Sequence, residues 1–219
     1  MIKILAAAAA LAIAPVANAQ SPEAVMDHAV KAYADLKSVR AEFRQSITNP
    51  ITGTNLVSRG VLLRKDPGFL SINFTQPRGD RIVSDGESLW IYLPSSAPGQ
   101  AIKTSAKANS ALAMVDPGGV FLSSPAARYT MSSGGTATIG GRKMNVVSLV
   151  PKKSNGIFSQ ARVWVDASTS FIRQFEVVDA NGLKRVVTIT SIQPNASIST
   201  ADFRFSPPKN VRVLDSASY

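Results

Sequence analysis

Residues Arg64–Pro94 read RKDPGFLSINFTQPRGDRIVSDGESLWIYLP. Within them Leu70, Ile72 and Phe74 alternate with Phe69, Ser71 and Asn73, which sets the first three on one face of a pleated strand. Thr75-Gln76-Pro77 and a polar turn lead to Arg81-Ile82-Val83-Ser84. Asp85-Gly86, a hairpin-turn dipeptide, then leads to Leu89-Trp90-Ile91-Tyr92. The segment is three short strands joined by turns. It holds no side chains suited to covalent chemistry and is built to present an apolar face.

Outward from this block the chain remains strand and turn. Val39, Ala41 and Phe43 alternate with Arg40, Glu42 and Arg44; Val57–Arg64, Arg128–Met131, Lys143–Val150, Gln160–Val165, Phe171–Val178 and Lys184–Ile192 follow. Gly140-Gly141 and Asn181-Gly182 sit between such runs as hairpin turns do. One helix precedes them. Ser21 is its N-cap, Pro22 its first position and Glu23 an acid in its first turn. Val25, Ala29, Tyr33 and Leu36 recur at helical steps, so the helix ends near Lys37. The exception is Ser95–Ser124, rich in Ala, Ser, Pro and Gly, whose apolar pieces suit one or two short helices in a long connection.

A meander of about ten strands with one apolar face is too wide for one helix to cover, so it must curl around that face. A curled sheet of that width holds a hollow larger than its own side chains fill. A two-sheet sandwich satisfies the same alternation without a hollow. The nine residues that would line it are Val39, Phe43, Leu70, Ile72, Phe74, Trp90, Leu112, Met114 and Val163, each of which also suits ordinary core.

Residues 1–19 stand apart. Lys3, the apolar run Ile4–Ile13 and Ala17-Asn18-Ala19 form a secretory leader, too short to span a bilayer, with Gln20 as the first mature residue. Position 20 is not cysteine, so the mature chain carries no lipid of its own. Residues 20–219 are one domain. The formal charge of +10 falls by one with the leader. The basic residues are scattered singly or in pairs without interleaved aromatics, which argues against nucleic acid and suits acidic partners, anionic headgroups or plain solubility. There are no cysteines and one histidine, which removes disulfides and leaves no zinc set. His28 falls on the polar side of the helix. No G-x-S-x-G or H-E-x-x-H motif occurs, and Gly134-Gly135 are turn glycines. The expectation is a protein that is not an enzyme and needs neither metal nor cofactor.

Several motifs in fixed order resemble the periplasmic carriers of outer-membrane lipoproteins, the LolA family. They are Ala41-Glu42-Phe43-Arg44-Gln45, Pro67, Thr75-Gln76-Pro77, Ile82-Val83-Ser84-Asp85-Gly86, Leu89-Trp90-Ile91-Tyr92, Pro151-Lys152-Lys153-Ser154-Asn155-Gly156 and Phe203-Arg204-Phe205-Ser206-Pro207-Pro208. The resemblance spans about Val39 to Val213 and implies an α+β, mainly β fold: an unclosed antiparallel β-barrel of about ten or eleven strands with an N-terminal helix and short lid helices over an apolar cavity.

It further implies a monomeric periplasmic carrier of triacylated or diacylated lipoproteins. Such a carrier receives them from an inner-membrane ABC-type release complex and passes them to an outer-membrane acceptor. Burying one sixteen-carbon chain is worth on the order of 12 kcal/mol, so such cargo cannot cross water unshielded. The same resemblance places Ser95–Ser124 as the lid and an arginine before Pro67 as its latch. Here that position is Asp66, and Arg64 and Lys65 are the neighbouring bases that would take the role. A lipid-binding sensor or adaptor on the same fold, or a carrier of another lipid or glycolipid, fits the residues as well.

Overall fold

The computed structural model describes residues 20–106, 120–154 and 158–215. The leader, residues 107–119 of the expected lid with Leu112 and Met114, and the Asn155-Gly156 part of the turn motif lie outside them.

Helix α1 spans Pro22–Ala34. The Ser21 hydroxyl accepts from the Ala24 amide at 3.1 Å, as the cap residue predicts. The helix stops three residues short of Lys37, and Leu36 folds back so that its amide donates to the Tyr33 carbonyl at 3.3 Å. Twelve strands follow: β1 Ser38–Thr48, β2 Asn55–Lys65, β3 Phe69–Gln76, β4 Arg81–Asp85, β5 Ser88–Tyr92, β6 Gln100–Ser105, β7 Tyr129–Ile139, β8 Arg142–Pro151, β9 Gln160–Asp166, β10 Ile172–Val178, β11 Lys184–Pro194 and β12 Arg212–Asp215. A one-turn helix, α2 (Pro125–Arg128), precedes β7.

All twelve form one sheet in the order β12-β6-β5-β4-β3-β2-β1-β11-β10-β9-β8-β7. Two meanders, β1–β6 and β7–β11, join where β1 pairs with β11. The edges β12 and β7 do not meet, so the barrel is unclosed, as expected. The strand number exceeds the expected ten or eleven by one or two. Gln100–Ser105 forms β6 inside the stretch expected to be lid, and the C-terminal Arg212–Asp215 adds β12 in parallel to it.

Three local features set which side chains face inward. The β4–β5 turn is the expected one: the Asp85 carboxylate accepts the amides of Glu87 and Ser88 at 3.0 and 2.7 Å. Gly134-Gly135 are not turn residues but lie inside β7 at a bulge. There a Cβ on Gly134 would sit 2.7 Å from Val146 Cγ1. Register shifts at Glu42/Phe43 and Ile172/Gln174 add a residue to one strand. Hence Ile189 and Ile192, three apart, both join the inner cluster, as do Ile172 and Phe175.

The core lies between α1 and the inner face. Met26, Ala29, Ile72, Val163, Ile172, Phe175 and Leu149 are almost fully buried in it. Phe121 packs against Phe158 and Phe175, with ring centroids 5.9 and 5.5 Å away. The helix packs mainly against β7, β8 and β9, so most of the β1–β5 side is left for the sheet itself to enclose. A second, smaller cluster of Leu63, Ile198 and Phe203 forms on the outer face, where the chain after β11 crosses behind β2 and β3.

Candidate functional site

The inner residues of β1 trace a path along the uncovered side. Val39 and Ala41, with Leu62, Ile189, Ile192, Tyr33 and Arg64, wall a void of about 30 Å³. Phe43, with Leu62, Ile72, Val187 and Ile189, walls one of about 20 Å³. Gln45 and Ile47 open into a cleft of about 770 Å³ whose other walls include Leu56, Phe74, Ile82 and Ile91. The first two voids hold a water at most. The third is within the size range of small-molecule sites. The central interior is thus filled more closely than the sequence led us to expect, and most of this space lies in an open cleft at one end.

Two aromatic rings set that boundary. Phe43 meets Phe74 edge-on at 5.7 Å between centroids. Gly60 makes room for the Phe43 ring, since a Cβ there would fall 2.9 Å from its ring carbons. The pair stands between the small voids and the cleft. At the opposite end Tyr33 of α1 rests edge-on against Phe171 at 5.4 Å.

The expected lining residues divide accordingly. Val39, Phe43, Ile72 and Phe74 are walls of these spaces. Leu70 and Val163 are buried on the same face but within the packed core. Trp90 is not a lining residue. It pairs with Val83, one step out of phase with inward-facing Ile82 and Ile91. Its ring lies on the outer face 5.6 Å from Phe205, with Lys103 Nζ 5.5 Å above it. Of the latch candidates, Arg64 faces inward and pairs with Asp66 at 3.1 Å. Lys65 points the other way, donating to the Ile198 carbonyl at 3.0 Å.

Sequence reasoning missed Leu62, Val187, Ile189 and Ile192. Leu62 and Val187 were within its reach, because their strands were recognised without a face being assigned. Ile192 was not, because the bulge reverses its phase. It also missed the polar end of the path. The Arg185 guanidinium donates to Gln45 Oε1 at 2.9 Å, and Gln45 Nε2 donates to Ser58 Oγ at 3.1 Å. Burial pulls the Arg185 pKa down from its ordinary value.

A family model described as outer membrane lipoprotein carrier protein LolA matches residues 34–206. The chain belongs to that family. It is also 28% identical over 183 residues to the outer-membrane lipoprotein carrier protein of Serratia proteamaculans (strain 568), covering 83% of each chain. Among solved structures it resembles an uncharacterized conserved protein of Thermus thermophilus, with a TM-score of 0.57 at 11% identity over 90% of this chain and 99% of that one. It resembles MucB with a TM-score of 0.50 at 15% identity, over 84% of this chain and 62% of that one. The two structures establish the fold alone. The LolA family is one of carriers and not of catalysts. Among the described residues no three metal-ligating side chains cluster, and no helix is long and apolar enough to cross a membrane.

Proposed function

We propose that this protein is a periplasmic carrier of lipoproteins. It is exported by a cleaved leader over residues 1–19 and works as a monomeric domain over 20–219. Acyl chains of triacylated or diacylated lipoproteins enter between β1, β2, β3 and β11, the Phe43–Phe74 pair turns aside, and the small voids merge with the cleft. The observation that carries this reading is the alignment of Val39, Phe43 and Phe74 with three spaces along one apolar path. A closed resting interior suits a carrier that must release. Hydrocarbon burial at about 0.8 kcal/mol per methylene holds the cargo, while separating the packed side chains offsets part of that gain.

Arg64 takes the latch role that Asp66 cannot, since an ionised carboxylate has no proton to donate to a carbonyl. Its side chain borders the cavity end beside Tyr33, with Asp66 as its partner in the cargo-free state. An inner-membrane ABC-type complex supplies the cargo and an outer-membrane acceptor takes it. Spheroplasts radiolabelled in their lipoproteins test this. Incubated with the mature protein, they should yield a soluble one-to-one complex of carrier and lipoprotein. Folded protein that releases no lipoprotein refutes the reading.

A further inference from the structure

Arg185 is out of place in an apolar wall. On the inner face its strand neighbours are Ile47 of β1 and Val177 of β10, neither of which can balance a charge. The nearest acid along β10, Glu176, is a step out of phase and is held by Lys184 at 2.7 Å. The other charged group in the cleft, Asp80, is already used: its carboxylate accepts the Ser95 amide at 3.0 Å and the Ser95 hydroxyl at 2.5 Å. No ion pair involves Arg185 among the described residues, and its Nε is buried without an acceptor.

What the guanidinium does have is support. Gln45 and Ser58, 6% and 9% exposed, form a relay that fixes one edge of it. A half-buried cation without an acid partner is costly, and an apolar side chain of similar size would fill this wall at less expense. The arrangement makes sense with an anion brought from outside. The rest of the cleft then dictates the other end of that ligand: Ile47, Leu56, Phe74, Ile82 and Ile91 offer a hydrocarbon surface leading away from the charge.

We propose that the cleft, the open end of that path, also takes a second class of ligand, a single-chain amphiphile with its anionic oxygen head on Arg185 and its chain along Ile47, Leu56 and Phe74. This goes beyond lipoprotein carriage. Acyl chains on a lipoprotein end in uncharged ester and amide carbonyls, so the cation calls for a different ligand. A fatty carboxylate and a lysophospholipid phosphate share the required chemistry, and Arg accepts either through paired N–H donors.

The test uses the mature protein and the fluorescent fatty carboxylate cis-parinarate, displaced by palmitate, by palmitoyl lysophosphatidate or by uncharged monopalmitin. At least one anionic competitor should act at a concentration lower than monopalmitin by about tenfold or more, the worth of a charge-assisted hydrogen bond. Whichever anion is stronger identifies the head. Arg185→Gln should erase the preference, Arg185→Lys should keep part of it, and Gln45→Leu should weaken it. Lipoprotein release by the same preparations is read in parallel, so that loss of the anion preference is distinguished from loss of lipoprotein carriage, on which it does not depend. Equal displacement by charged and neutral competitors in the unmodified protein overturns the proposal, whatever the variants do. So does a preference that survives Arg185→Gln in protein with an unchanged melting temperature.

Discussion

Strands β8–β10 and strands β1–β4 carry the same alternation of apolar and polar residues, yet the inner face of one set is closely packed under α1 and that of the other borders an apolar cleft. Under α1, Val147, Val163 and Phe175 are at most 2% exposed, in one cluster with Met26, Ala29 and Phe121. Across from them, Ile82, Ile91 and Phe74 stay partly open to the cleft, and Leu56 is 68% exposed. The strands do not make the difference; the cover does. A helix of thirteen residues is about 20 Å long and packs mainly against three strands, so the uncovered apolar face is the remainder of one short helix on a wide sheet. Such a remainder is where a ligand of like chemistry goes.

The comparison breaks first at its packed side. Phe175→Ala should cost about 3–5 kcal/mol, because the site is held by Phe121 and the α1 cluster and cannot collapse. Phe74→Ala, which opens onto an existing cleft, should cost only about 1 kcal/mol of transfer free energy. Chemical denaturation of the two variants checks the contrast, and equal losses would remove the distinction between the halves.

The packed half also has a polar staple. Asp166, with no exposed side-chain surface, lies 3.4 Å from Arg142 and 3.5 Å from Arg173. Burial alone would raise its carboxyl, but the Ser168 hydroxyl, the amides of Ser168 and Thr169 and the Arg173 charge prevail and hold it at about 2. Its folded pKa lies below the unfolded value near 4, so its contribution is complete above about pH 4 and is lost as pH falls toward 2. That contribution is about 2–3 kcal/mol. Asp166→Ala should cost about 3 kcal/mol at neutral pH by leaving Arg173 unpaired. It should also flatten the acid limb of a stability–pH profile. An unaltered acid limb would remove Asp166 from the account.

On the open side the narrowest point is Gly60, where a Cβ would fall 2.5 Å from the Asn73 carbonyl oxygen as well as against Phe43. Gly60→Ala should cost about 1–3 kcal/mol through overpacking and displace the Phe43–Phe74 pair, which sharpens the boundary between path and cleft. Altered acyl-probe binding reports the displacement.

How much of this was legible in the residues follows from the physics of each signal. Period two placed Leu70, Ile72 and Phe74 correctly, because β3 is regular over those positions. The family motifs gave the unclosed barrel, and Ser21, Pro22 and Glu23 gave the capped first helix. Period two failed at Ile192, where a bulge changes the phase. It failed for Trp90 because an outward aromatic covered by Phe205 looks the same in sequence as an inward one. Arg185 was invisible for a related reason: a basic residue in a strand reads as solvated until its neighbours are known. β6 and β12 were missed because Gln100–Ser105 lies in the Ala-, Ser- and Pro-rich stretch and Arg212–Asp215 is short and is a strand only by pairing with β6.

The smallest energetic effect tests the largest functional claim. Arg64 and Asp66 form a partly exposed pair at 3.1 Å, with side chains 24% and 52% accessible. Such a pair contributes under about 1 kcal/mol, so Arg64→Ala and Asp66→Ala should each leave the melting temperature almost where it was. Their effects on cargo should nevertheless differ in kind. Removing Arg64 takes away the base that can latch the cavity end and should slow delivery of bound lipoprotein to an acceptor or abolish it. Removing Asp66 frees that base from its resting partner and should leave delivery intact or quicken it. Transfer rates measured for both variants separate a latch from an ornament: if the two behave alike, the pair is a surface ion pair and the control of release lies elsewhere.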